Sequence, residues 1–269
     1  MNIAVLNLAF YPKERGPYNY DVLPTPWSAG INADGELLDP WTRWGGIMRR
    51  IETTDFEATN VEYIEFWMMD PFIDPDGSGS QEPVQNGGYL YFNLGDISED
   101  VLKDGRKSYE NGLPTSEIVQ NVDTTIWGRV PTMQALVNSF DNDPNSRVYQ
   151  DVGLDGLGNN DEISFFDSTY LQKIANAFTV NSSAYAKAVE DPSSDNYHYF
   201  RGSNLDNDQV SILDRYKKYN GMEGNSPTSE QSPESYTTSA TTLPNVEDIN
   251  RDNTLSETER YFEYRVDLQ

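Results

Sequence analysis

The chain has no cysteine and a single histidine, His198. Disulfides, thiolate metal sites and cysteine nucleophiles are therefore excluded. A histidine-rich zinc centre or a Ser-His-Asp triad has almost no material. His198 sits in DNYHYFRG, where it reads as a structural residue among aromatics. Basic residues are scarce too: 19 Lys and Arg stand against 44 Asp and Glu, a formal charge of -25. That balance repels a phosphate backbone and anionic lipid, so nucleic acid is not an expected partner. It suits divalent cations, which are held by carboxylate and carbonyl oxygens. There is no apolar run of about 18 residues to span a bilayer and no secretory leader. Strand-like sequence right after Met1 reads as a fragment of a longer protein whose targeting signal lies elsewhere.

Apolar sequence is concentrated in two blocks, VEYIEFWMMD (61–70) and GGYLYFNLGD (87–96). In the first, Val61, Tyr63 and Trp67 alternate with Ile64, Phe66 and Met68, which predicts a strand buried on both faces. The second repeats the pattern with Tyr89 and Tyr91 against Leu90, Phe92 and Leu94. Further strands are expected near 2–10, 41–53 and 258–268, the last alternating Phe262, Tyr264, Val266 and Leu268 with charged residues. Together these predict a mainly β chain: one antiparallel β-sandwich domain over 1–269, a jelly-roll of the galactose-binding kind. A helical or irregular insertion is expected at about 97–220. Asp96 and Glu99 resemble a capping box for a short helix, Leu171, Ile174, Ala175 and Phe178 recur at helical spacing, and Ile212, Leu213, Tyr216 and Tyr219 form a second stripe. The Ser/Thr/Pro/Glu-rich tract 221–245 has little to bury and reads as an exposed connection.

Several acidic loops are candidate calcium sites, with a structural role in bracing long connections. DINRDNTLSETE (248–259) has the spacing of a 12-residue calcium loop, with Asp248, Asn250, Asp252, Thr254, Ser256 and Glu259 at the ligand positions. Asn253 replaces the usual glycine at position 6, and an acidic turn with its own Asx hydrogen bonds is the competing reading. DVGLDGLGNNDE (151–162) offers Asp151, Asp155, Asn159, Asp161 and Glu162 on a glycine-rich path, against a solvated acidic loop. DPDGSGSQE (74–82) and NLDND (204–208) carry weaker signals of the same kind. No pair of carboxylates stands out as a catalytic couple. Trp27, Trp41 and Trp44, near Pro-rich loops, are the residues to test for a sugar platform.

Long strings in the chain, among them LNLAFYPKERGPYNY, WGGIMRRIETTDFEATNVEYIEFWMMDPF, DEISFFDSTYLQKIANAF and NVEDINRDNTLSETERYFEYRVDL, carry a resemblance that covers nearly its whole length. It resembles an internal stretch of the SprA/Sov family, the giant outer-membrane translocon proteins of the type IX secretion system in gliding and pathogenic Bacteroidetes. The resemblance implies a soluble extracellular or periplasmic domain inserted between strands of a very large β-barrel. Its work would be export of folded proteins and gliding motility, beside other translocon subunits and secreted cargo. It brings no catalytic motif, so a non-enzymatic structural and interaction role is expected. The alternative is a calcium-dependent carbohydrate-binding β-sandwich at the cell surface, with a glycan as partner.

Overall fold

The computed structural model describes residues 8–53, 55–68, 88–102, 105–106, 110, 114–118, 121–132, 140–219, 226–228, 230–231, 247–250, 252 and 254–268. These divide into two compact units. The first comprises Met1–Ile47 and Asp100–Leu255, the second Met48–Glu99 and Ser256–Gln269.

The first unit is built on helices. After a one-turn helix α1 (Pro144–Arg147), capped by the Asp143 carboxylate on the Asn145 amide, the chain enters α2 (Asn159–Phe166). A π turn over Asp167–Leu171 continues directly into α3 (Gln172–Phe178). α4 (Ser183–Glu190) begins where Ser182 accepts from the Tyr185 amide, and Pro192 follows its end. Two short helices complete the run, α5 (Ser203–Asn207) and α6 (Ile212–Lys217). Phe166, Tyr170, Leu171 and Ile174 from the α2–α3 rod meet Ala184 and Ala188 of α4, and the small alanines allow close approach.

The other half of this core comes from the proline-rich N-terminal arm. Val22, Ile31 and Leu37 are buried against the helices, and Tyr20 stacks on Phe166 with ring centroids 4.6 Å apart. Arg15 fastens the arm: its guanidinium donates to the Asp191 carbonyl at 3.0 Å and the Pro192 carbonyl at 2.6 Å, and lies 4.8 Å from the centroid of the Tyr170 ring. An arm that cannot make regular structure thus packs through isolated apolar side chains and a cation–π contact. A small hairpin joins the same unit, β1 (Val122–Thr124) against β2 (Arg129–Pro131), its turn held by Thr125 Oγ1 accepting from the Trp127 and Gly128 amides.

The second unit is a two-stranded antiparallel ribbon. The strand at Tyr89–Asp96 (called βN) pairs with the one at Arg260–Asp267 (βC), Tyr89 opposite Asp267 and Asp96 opposite Arg260. All of βC is exposed, including Phe262 and Tyr264.

The chain is therefore not the mainly β sandwich or jelly-roll expected from hydrophobic alternation. Among the described residues there are two separate two-stranded sheets, and helices carry the larger share of the structure. Residues 8–10, 41–53 and 61–68 form no strand where described, and Trp67, Tyr63 and Ile64 are exposed. Alternation measures a segment's capacity to be covered, and the core formed instead where helical stripes met the N-terminal arm. The expected strand residues 2–7, 69–70 and 87, and the loop 74–82, lie outside the described residues. So does most of 221–245, where Ser226 and Thr228 are described and buried. The described parts of 99–112 form no helix, and the Ile212, Leu213 and Tyr216 stripe is exposed.

Ile174 has no exposed surface. Ile174→Ala is expected to lower unfolding free energy by about 2–5 kcal/mol, whereas Ile212→Ala should stay within about 0.5 kcal/mol. Chemical denaturation of the two variants checks the contrast.

Candidate functional site

The loop 151–158, with its glycines at 153, 156 and 158, dives beneath the surface before α2, so that Val152, Leu154, Asp155 and Leu157 are all buried. Its backbone is stitched on three sides. The Tyr18 hydroxyl donates to the Leu154 carbonyl, and the Arg129 amide to the Asp155 carbonyl at 2.7 Å. The Leu154 amide in turn donates to Asp195 Oδ2 at 2.7 Å. Gly153 has φ +56°, and a Cβ there would strike the Asp195 carboxylate, so only glycine permits this approach.

Where this loop meets the turn after α4, acidic side chains converge. Glu162 comes from the first turn of α2, Asp191 from the end of α4, Asp195 from the turn that follows, and Asp155 from the loop. Glu162 has no exposed surface, Asp195 and Asp155 retain 3% each, and Asp191 is half-buried. Glu162, Asp191 and Asp195 each bring a carboxylate oxygen within 4.8 Å of the other two. Ser193 ties the group together: its amide donates to Glu162 Oε2 at 3.3 Å and its hydroxyl to Asp155 Oδ2 at 2.5 Å. Glu162 Oε1 and Asp195 Oδ1 have no hydrogen-bond partner among the described residues.

Basic neighbours are few, and Arg15 beside Asp195 and Arg129 beside Asp155 offset the burial of those acids only in part. Lys218 approaches Asp191 at 3.7 Å from an exposed position, and Arg129 pairs at 3.6 Å with exposed Asp161. Burial therefore pushes the carboxyls of Asp155, Glu162 and Asp195 up to about 8, and the neighbouring acids add to it: Asp195 for Asp155, Asp155 for Glu162, Glu162 for Asp195. The Tyr18 phenol is driven up for the same reasons, first by burial and then by Glu247, Glu110, Asp195 and Asp155.

The predicted loops fare differently. Of the 151–162 set, Asp155 and Glu162 enter the cluster, while Asn159 and Asp161 are exposed. Asp151 is half-buried, its carboxyl raised by burial and partly lowered by His198, whose ring Nδ1 lies 2.6 Å from the Tyr199 carbonyl. In the 248–259 loop the side-chain oxygens turn onto their own backbone. The Asp252 amide donates to Asn250 Oδ1 at 2.8 Å and Asp248 Oδ1 at 3.1 Å, and the Thr254 amide and hydroxyl donate to Asp252 Oδ1. These bonds from Thr254 lower the Asp252 carboxyl. Glu259 is exposed and belongs to the second unit. Trp27, Trp41 and Trp44 are all exposed. Sequence reading missed Asp191, Ser193 and Asp195, although DPSSD after a helix is the same oxygen-rich, turn-forming composition that marked the other loops.

A helical unit and a separate ribbon, with an acidic cluster closed off from solvent, are joined in one chain that compares with motility and secretion proteins. Residues 169–269 match the family model SprA_N, described as motility related/secretion protein, and over that stretch the resemblance to the SprA/Sov family holds. The match includes Asp191, Asp195 and βC. The family is one of motility and secretion proteins, not a known enzyme family. No curated protein matches the chain. Among the described residues, no helix is long and apolar enough to cross a membrane.

A carboxyl raised on folding supplies stability that is complete below its unfolded value, near 4, and is lost as pH rises through its folded value, near 8. In the presence of chelator, the protein should therefore melt at a higher temperature at pH 5 than at pH 8.5. Glu162→Gln should flatten that slope by up to about 1.4 kcal/mol per pH unit. Unfolding followed across pH for both proteins measures the difference.

Proposed function

We propose that this chain is a non-enzymatic structural and interaction segment of a type IX secretion outer-membrane translocon, serving export of folded proteins and gliding motility. The observation that carries this reading is the family match over 169–269. Its partners would be other translocon components and secreted cargo, and its place a portion of the parent protein lying outside the bilayer. The ribbon supports an interaction role. Phe262 is 74% exposed, and Tyr264, Tyr89 and Tyr91 are about half exposed. A two-stranded ribbon alone is marginal in water, and its outer edges, unpaired among the described residues, are templates for further pairing. A surface of this kind gains stability from being covered by a neighbouring component.

The buried carboxylates favour a structural role over turnover, because a substrate would have to displace the side chains that close them in. The alternative carbohydrate-binding reading rested on a β-sandwich presenting an aromatic face, and among the described residues the sheets are two-stranded.

The test is made in the native bacterium, with Tyr91, Phe262 and Tyr264 replaced together by threonine, which keeps strand propensity while removing the aromatic surface. Export of secreted proteins and spreading on agar should both fall severalfold at unchanged abundance of the parent protein. Normal export and spreading at normal abundance would defeat the assignment of the ribbon as a working contact.

A further inference from the structure

We propose that Glu162, Asp191 and Asp195, backed by Asp155 through Ser193, form a calcium site that locks the 151–158 loop to the turn after α4. The span of the oxygens is the first support. Calcium takes oxygen ligands at about 2.3–2.6 Å, so ligands on opposite sides of the ion stand about 4.6–5.2 Å apart and adjacent ones closer. The three carboxylates fall inside that limit, with mutual distances of no more than 4.8 Å.

The second support is independent of the clustering. Glu162 is fully buried and Asp195 retains 3% exposure, yet each keeps a carboxylate oxygen without a hydrogen-bond partner among the described residues. Buried polar atoms are nearly always satisfied, and a charged one left alone is costly. Two such atoms in one small space call for a shared partner carrying positive charge. The basic side chains nearby do not supply it: Lys218 engages Asp191 from solvent, and Arg15 spends its hydrogen bonds on the carbonyls of Asn19, Asp191 and Pro192.

The donor set selects among cations. It is all oxygen, with no histidine or cysteine, which disfavours zinc and copper. The ligands come from a helix start, a helix end and a turn, an irregular arrangement that calcium's flexible coordination accepts more readily than the strict octahedron of magnesium. Glu162 and Asp155 are held by Ser193, and Asp195 by the Leu154 amide, so the carboxylates are already positioned by neighbouring groups.

The test uses the full 269-residue chain, stripped with chelator and titrated at neutral pH with calcium chloride, with magnesium chloride as the comparison. Calorimetry should find one calcium per chain bound more tightly than magnesium, and saturating calcium should raise the melting temperature by roughly 5–10 °C. Glu162→Gln and Asp195→Asn should each weaken calcium binding at least tenfold and abolish the thermal shift. Each puts a neutral amide in place of a carboxyl that burial already keeps largely protonated without calcium, so neither should melt lower than the chelated parent. Asp252→Asn, in the 248–259 turn, should bind as the parent does. As a measurement on the unmodified chain, terbium should give tyrosine-sensitised emission that calcium displaces, since Tyr18 and Tyr20 border the cluster. Absence of calcium binding and of sensitised emission overturns the proposal. So does binding that survives both cluster substitutions or disappears in Asp252→Asn.

Discussion

Carboxylates held out of water between a glycine-rich loop and the end of α4 are the constraint to which the helical unit is fitted. Burying charge is unfavourable unless geometry and hydrogen bonds compensate. The chain meets this with short local contacts. Ser193 bridges Glu162 and Asp155, and the Leu154 amide caps Asp195. Each contact joins segments distant in sequence, so the acids double as fasteners between the 151–158 loop, α2 and the turn after α4. The apolar core alone, with Val22, Ile31 and Leu37 set against Phe166, Leu171 and Ile174, secures only one side of this assembly. The loop 151–158 is secured on its other side by polar groups.

Several parts of this arrangement were legible in the sequence. The Leu171 and Ile174 stripe marked a buried helical face, and the alternation near the two ends of the second unit coincides with βN and βC. Asp155 and Glu162 were two of five candidate ligands, with Asp151, Asn159 and Asp161, on a glycine-rich loop whose backbone carbonyls could turn inward. What could not be read was coverage. The VEYIEFWM segment has the composition of a buried strand, but burial depends on a partner surface, and sequence periodicity contains no term for whether that surface exists. The arm from Tyr11 to Leu37 shows the opposite case. Its prolines forbid regular structure, yet irregular backbone buries Val22 and Ile31 as completely as a helix would. Asp191 and Asp195 were hidden because their relation to Glu162 is a tertiary one, set by how α4 returns past α2.

The two units handle burial in opposite ways. The helical unit encloses Phe166 and Tyr170 together with the carboxyls of Asp155, Glu162 and Asp195. The ribbon is the reverse: its ladder is complete, but βC is exposed throughout and in βN only Leu90, Phe92 and Leu94 are half-buried.

The pairing of Tyr89 with Asp267 and of Asp96 with Arg260 has a mechanical consequence. Everything from 97 to 259 leaves and returns at one end of the ladder, while Gly88 and Leu268 sit together at the other. Tension applied between those two residues peels the rungs apart one after another instead of shearing them all at once. The ribbon would thus yield at low force and act as a fuse, sparing the intervening sequence until its last rung had opened.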